Sequence, residues 1–234
     1  MRIEIWTDII CPWCGLGQRR LDKALERFGH AGDVEVVHRS FQLDERAPAG
    51  TTQSARDMLK KKTGMSDAQF EQATGNIERL AAADGLTPYI VRDNRVGNTS
   101  LAHELAAWAT EQGRGDEAWQ HLYKAYFGEA RSIFDVDSLV ALATEIGLDA
   151  DAAREALTSR RYAAQVLADG REARQLGASG VRFFVVDRQF AVAGAHSGEV
   201  LDDMLQKAWE KRPAHASTAD AAVCTDDVCA PARR

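Results

Sequence analysis

Three observations in this sequence predict an α/β fold with a βαβ unit near the N-terminus and a ββα unit near the C-terminus. Arg2-Ile-Glu-Ile-Trp6 alternates polar and apolar residues as a strand does, and Leu21, Ala24, Leu25 and Phe28 follow at helical spacing. Far downstream, Val181-Arg-Phe-Phe-Val-Val-Asp187 and Phe190-Ala-Val-Ala-Gly194 read as two strands around a turn at Asp187-Arg-Gln189, with a helical stripe after them. Between the two units the periodic segments are all helical.

The first helix begins at Cys11-Pro12-Trp13-Cys14. Proline suits a first helical turn, where its missing N–H has no partner to lose, so Pro12 puts Cys11 at the helix start. Unpaired N–H groups and the helix dipole stabilise a thiolate there. Cys14, three residues on, is within bonding reach. Thiol–disulfide exchange needs that pairing, since one thiolate attacks and the second resolves the mixed disulfide. A C-x-x-C alone also reads as half of a zinc site. The order strand, C-P-W-C, helix points instead to a redox dithiol on a thioredoxin-like fold. Cys11 is the candidate nucleophile and Cys14 the resolving thiol. Asp8, three residues before Cys11, is a candidate acid–base group, or a partner for Arg182. Trp13 is a candidate apolar contact for substrate.

After a break at Gly29–Gly32, Asp33 to Phe41 reads as a second strand, parallel to the first. The middle of the chain is expected to be helical throughout. Leu101, Leu105, Trp108 and Ala109 follow Asn98-Thr-Ser100, and Trp119, Leu122, Tyr123, Tyr126 and Phe127 follow Asp116. Asp135 precedes Leu139, Leu142, Ala143 and Ile146, and Asp149 opens a stretch to Leu176 that reads as one long helix or two. The aromatic residues of these segments are expected to form a core. Ser197 to Lys211 reads as the last helix, capped by Ser197, and His196, in a loop returning to the dithiol end, is a candidate substrate or proton-relay contact. The expected organisation is a discontinuous thioredoxin-like domain (1–49 and 179–212), an inserted helical subdomain (50–178) and a C-terminal tail (213–234).

The 234 residues are 45% hydrophobic and 27% charged, an ordinary globular composition. A net charge of −6 without a basic cluster argues against a nucleic-acid partner. No apolar run is long enough to span a bilayer, so no membrane partner is expected. Met1 and Arg2 lead directly into a strand rather than an apolar leader, so a cytoplasmic location is expected, where disulfides are transient and catalytic. The four cysteines fall in two close pairs, Cys11/Cys14 and Cys224/Cys229. The second lies in an Ala-, Ser-, Thr-, Asp- and Pro-containing tail expected to be mobile, and is a candidate auxiliary redox pair that exchanges with the first.

The C-P-W-C, the helical insertion and Gly177-Ala-Ser-Gly-Val-Arg-Phe-Phe184 together resemble the DsbA-like thioredoxin family. The resemblance is strongest to its FrnE subgroup of dithiol oxidoreductases and disulfide isomerases, and covers residues 1 to about 211. Asn98-Thr-Ser-Leu-Ala-His103 is similar to that subgroup's Asn-Thr-x-x-Ala-His pattern, with His103 expected to make structural hydrogen bonds. The resemblance implies catalysis by Cys11 and Cys14 without a cofactor, on protein or small-molecule disulfides and dithiols. It also implies that backbone beside Val181 is presented to substrate. One departure stands out: the family usually has a cis-proline after Gly-Val, and this chain has Arg182. A cis bond before a non-proline residue costs about 2.5–4 kcal/mol, so a trans bond is expected. The replacement adds a cation beside the dithiol, expected to lower the Cys11 pKa. Two other functions fit parts of the pattern: a zinc protein using all four cysteines, and a glutathione-dependent isomerase or transferase of the kappa type.

Overall fold

The structure is a computed structural model that describes residues 1–194 and 197–212. His196, Cys224 and Cys229, and the tail that carries the two cysteines, lie outside the described residues. Strand β1 (Arg2–Thr7) leads into helix α1 (Pro12–Arg27), and β2 (Glu35–Ser40) follows a short 3₁₀ turn. Next come β3 (Thr52–Ser54), α2 (Ala55–Thr63), α3 (Asp67–Ala83) and β4 (Arg95–Gly97). Helices α4 (Ser100–Glu111), α5 (Gly115–Tyr123), α6 (Val136–Glu145), α7 (Ala150–Thr158) and α8 (Ala163–Gln175) continue the chain. Strands β5 (Phe183–Val186) and β6 (Phe190–Ala193) and helix α9 (Gly198–Glu210) close it.

The main sheet has the order β2-β1-β5-β6. Strand β1 is parallel to β2, with Ile5 opposite His38, and antiparallel to β5, with Trp6 opposite Phe183. Because side chains alternate along a strand, the sheet has two different faces. Ile3, Ile5, Phe184 and Val186 pack under α1 and α9 with Leu21, Leu201 and Leu205. Trp6, Phe183 and Val185 pack on the other side with Ala173 of α8. This alternation decides the site: Arg182 shares the α1 face with Phe184, and Glu4 shares the α8 face with Trp6. A third, larger core joins the helices of the middle segment to the start of α1 and contains Cys11, Cys14, Leu16, Trp119, Tyr123 and Phe127.

The middle is not helical throughout. Strands β3 and β4 pair antiparallel over three residues each, Thr52 with Gly97 and Ser54 with Arg95. Three residues are too few to show a period of two, and side-chain bonds within the pair and from outside it hold the strands together. Tyr126 donates its hydroxyl to the Arg95 carbonyl at 2.6 Å, and Arg95 Nη2 donates to the Thr52 carbonyl at 2.7 Å. The stretch from Asp149 forms two helices. They part around Arg160, whose φ of 54° ends helical geometry and whose guanidinium reaches back to Glu104 on α4 at 2.8 Å. Asp135 and Asp149 cap their helices through bonds from the Ser138 and Ala152 N–H groups, both at 2.8 Å. Ser197 occupies the N-cap of α9, although its side chain makes no capping bond.

Candidate active site

Cys11 is the N-cap of α1, in extended conformation, with Pro12 in the first helical turn. The Cys14 N–H donates to the Cys11 carbonyl at 2.9 Å, so the two thiols lie one turn apart at the helix start. Both are free thiols, and Cys14 is the deeper, 2% exposed against 7% for Cys11. Tyr89 fixes the turn between them by donating its hydroxyl to the Pro12 carbonyl at 2.6 Å. That hydroxyl fills the space beside Gly15, where an added Cβ would lie 2.5 Å from it.

The end of β1 supplies the floor. Thr7 and Tyr123 share a buried hydroxyl–hydroxyl hydrogen bond of 2.6 Å, and the Thr7 hydroxyl favours ionisation of Cys14. Asp8 is fully buried and does not pair with Arg182. Its Oδ2 accepts from the Leu43 N–H at 2.7 Å, and its Oδ1 lies 3.2 Å from His103 Nε2. His103 is itself fully buried, with Trp119 edge-on to its ring.

Arg182 comes from the start of β5. The Val181–Arg182 peptide bond is cis, contrary to the expectation from sequence. That expectation weighed the local preference alone, whereas tertiary contacts fix the residue on every side. The Gly194 N–H bonds to the Arg182 carbonyl at 2.9 Å, the guanidinium lies 4.7 Å over the Phe184 ring, and Nη1 donates to the Trp13 carbonyl at 3.3 Å. Arg182 is 3% exposed. Its guanidinium fills the space beside Gly17: a Cβ built there would stand 1.0 Å from Nη1. Trp13 and Val181 are half-buried and pack against the large helical core.

These neighbours act differently on the two thiols. Burial opposes ionisation of Cys14, but the Cys11 thiol, Arg182, Thr7 and the Asp8 backbone outweigh it and hold the Cys14 pKa below the usual thiol value. For Cys11 the hydrogen bond with Cys14 is the largest influence, burial adds to it, and the Asp8 charge works the same way, so its pKa stands well above the usual value. The backbone N–H of Cys14 favours a Cys11 thiolate but is outweighed. The Arg182 cation acts on both sulfurs, on Cys14 first and on Cys11 after it. Burial, and after it the charge of the thiols, pushes the Tyr89 and Tyr123 hydroxyls well up, which keeps both as donors.

Sequence reading brought Cys11, Cys14, Pro12, Trp13, Asp8, Val181 and Arg182 to one place. It missed Gly17, Tyr89 and the hydroxyl pair, and took Tyr123 for core alone. A signal for Gly17 existed, since a glycine inside a helix weakens it unless something must approach closely. Nothing local marks Tyr89 or Tyr123. Among the described residues no group of three or more His, Cys, Asp or Glu is arranged to hold a metal ion, and no helix is long and apolar enough to cross a membrane.

Comparison with known proteins places this site in a family. A crystal structure of a probable DsbA oxidoreductase, SCO1869 from Streptomyces coelicolor, is 44% identical with a TM-score of 0.88, each chain covering all of the other. The uncharacterized protein YwbO of Bacillus subtilis (strain 168) is 28% identical over 162 residues, 69% of this chain and 74% of that one. The cytosolic disulfide reductase DsbM from Pseudomonas aeruginosa shares the fold at 17% identity and a TM-score of 0.61, over 90% of this chain and 99% of that one. The family model for the DSBA-like thioredoxin domain matches residues 2–206. With that match over the strand, dithiol and helices just described, the chain belongs to the DSBA-like thioredoxin family.

Proposed function

We propose that this protein is a thiol–disulfide oxidoreductase that works through Cys11 and Cys14, without a cofactor, on protein or small-molecule disulfides and dithiols. The observation that carries the reading is two free thiols one helical turn apart at the start of α1, the outer one on the N-cap. In the reducing direction the Cys11 thiolate attacks a substrate disulfide and expels one substrate thiolate. Cys14 then attacks Cys11, releasing the second substrate thiolate and closing the Cys11–Cys14 disulfide. The reverse sequence oxidises a substrate dithiol. Attack by Cys11 followed by attack of a different substrate thiolate on the substrate sulfur of the mixed disulfide, which expels Cys11, isomerises disulfides, the activity expected of an FrnE-type member. Asp8, Trp13 and Val181 border the pair as acid–base or substrate-contact residues.

The proposed compartment is the cytoplasm; the same fold occurs in a protein described as a cytosolic disulfide reductase. Cys224 and Cys229 are proposed as an auxiliary pair that accepts electrons from Cys11/Cys14. Turnover of a small aromatic disulfide by single-cysteine variants tests the main reading. Cys11→Ser is expected to abolish exchange, and Cys14→Ser to accumulate mixed disulfide on Cys11. Full turnover by Cys11→Ser would overturn it. Truncation after Arg212 tests the tail: unchanged turnover with no Cys11–Cys224 cross-link would remove the auxiliary role.

A further inference from the structure

Charges that thiol exchange does not use gather along one stripe of α1. Gly15, Gln18, Arg19 and Asp22 follow one another at i, i+3, i+4 and i+7, so they share one side of the helix. Across from them run the loop after α3 and the end of α5, and a cleft of about 390 Å³ lies between. That is room for part of a ligand rather than for water alone. Leu86, Pro88, Tyr89 and Tyr123 give the cleft apolar walls, and Gly85 and Gly128 bring only backbone to it. Its charges are Arg19, Asp22, Lys124 and Glu129.

Three of these charges already have opposite partners. Lys124 pairs with Glu129 at 3.5 Å, and Arg19 with Glu26 at 3.7 Å. Asp22 differs. Among the described residues it takes part in no ion pair, and its hydrogen bond comes from the uncharged Gln18 amide at 2.8 Å. Gln18 Oε1 meets His38 Nε2 at 2.7 Å, which turns the amide NH2 towards Asp22. Burial raises the Asp22 pKa, and Gln18, His38 and Arg19 offset this only in part. A carboxylate on the wall of a cleft and short of a cation is complementary to an ammonium carried in by a ligand.

The cleft also lies where a substrate held on Cys11 would run. Four residues before Gly15 the stripe reaches Cys11, whereas Gly17 and Leu21 turn to the sheet. Tyr89 both lines the cleft and holds the Pro12 carbonyl between the two cysteines. From Cys11 to Asp22 the helix rises about 16 Å. Three residues of extended peptide span about 10 Å of this, and the four-carbon arm of a lysine covers the rest. We propose, resting on the redox reading above, that the cleft selects polypeptide disulfides with a lysine three residues from the cysteine that Cys11 attacks. The lysine ammonium meets Asp22, and its methylenes lie between the apolar walls.

The test uses the reduced full-length protein and single-cysteine peptides whose cysteine is activated as a disulfide with an aromatic thiol. The Cys11 thiolate bonds to the peptide sulfur, the activated disulfide breaks, and the aromatic thiolate leaves with the electron pair and is read by its absorbance. Cys14 then displaces the peptide as a thiolate and closes the Cys11–Cys14 disulfide. The peptides carry lysine or norleucine three residues from the cysteine, or lysine beside it, too near to reach Asp22. The second-order rate constant of the first lysine peptide is expected to exceed that of the norleucine peptide about fivefold. Lysine beside the cysteine is expected to lose that advantage. In Asp22→Asn the ratio of lysine to norleucine is expected to fall towards one, and in Asp22→Glu to recover.

A wild-type ratio near one, an equal advantage for the neighbouring lysine, or a ratio unaltered in Asp22→Asn would overturn the proposal. The first two results need no variant, so they decide even if Asp22→Asn does not fold. Failure of every peptide to release the aromatic thiolate would instead remove the redox reading beneath the proposal.

Discussion

Glu4 and Arg182 are both buried charges on the main sheet, 1% and 3% exposed, and they are treated in opposite ways. Glu4 faces α8. Arg39 of the neighbouring strand donates to it at 3.0 Å and Arg188 of the β5–β6 turn at 2.6 Å. The two arginines are in turn held by Asp169 and Glu172, at 3.6 and 2.5 Å. That cluster is closed: every charge in it has an opposite charge in contact. Arg182 faces α1, and among the described residues no carboxylate closes its cluster; the ionisable groups that favour its charge are Cys14, Tyr123 and Cys11. A closed cluster holds strands and helix together in any redox state. An open one ties the state of the protein to the state of its sulfurs, which is why we assign Glu4 to the fold and Arg182 to chemistry.

Several substitutions would break or sharpen that contrast. The largest effect is expected from Gly17→Ala. The added methyl overlaps the guanidinium, so Arg182 must leave its seat. Overpacking of this kind costs about 3 kcal/mol, and urea denaturation should show a loss of that order, together with a Cys11/Cys14 redox equilibrium moved towards the disulfide, because a cation that favours the thiolates has left. Stability lost with no redox shift would mean that the seat matters only for packing.

Glu4→Gln should be less costly, about 2 kcal/mol, because the two arginines it leaves are partly exposed and can be hydrated. Its redox equilibrium should match the wild type, which is the contrast in its simplest form. The loss should also depend on pH in a definite direction. Burial works against the Glu4 carboxylate, but hydrogen bonds and charge from Arg188 and Arg39 outweigh it and hold its pKa below the usual range. A group with a depressed folded-state pKa stabilises fully above its unfolded value, about 4.3 for glutamate, and loses that contribution as pH falls through the folded value. The gap between wild type and Glu4→Gln should therefore be widest near neutrality and close in acid. A gap that widened in acid would contradict the closed cluster.

The smallest effect is expected at Glu145. Arg131, and then His121, hold its pKa down to about 2, against some opposition from burial. The pair is largely solvated, so Glu145→Gln should cost about 0.5 kcal/mol and be erased by salt. A loss comparable to that of Glu4→Gln would show that burial is not what separates strong from weak ion pairs here.

What could be read from sequence follows the range of the interactions. Strand β1, the C-P-W-C helix start and the ββα end were legible because each rests on neighbours within a few residues: alternation in Arg2–Trp6, Pro12 in a first turn, a periodic stripe after Ser197. The three-residue strands β3 and β4 were not, since three residues carry no period and the pair is held by the Arg95–Thr52 bond between the strands and by Tyr126 from across the fold. At the site, Cys11 and Cys14 announced themselves by spacing, and Arg182 by standing where a family proline was expected. That the Arg182 guanidinium reaches the space beside Gly17 depends on which face of β5 meets α1. That the Tyr123 hydroxyl reaches Thr7 depends on a helix more than a hundred residues downstream. Neither is encoded in a local pattern.

The central claim is that the Arg182 cation, buried without a carboxylate partner among the described residues, favours ionisation of the dithiol, Cys14 first. Ultraviolet titration of the thiolate in the Cys11→Ser protein tests this most directly, since a hydroxyl keeps a donor at position 11 and leaves one sulfur to observe. Cys14 is expected to ionise below the value of a free thiol, about 8.5, and Arg182→Met in the same background is expected to move the midpoint upward. A Cys14 that ionises above that value, and is indifferent to Arg182→Met, would contradict the claim.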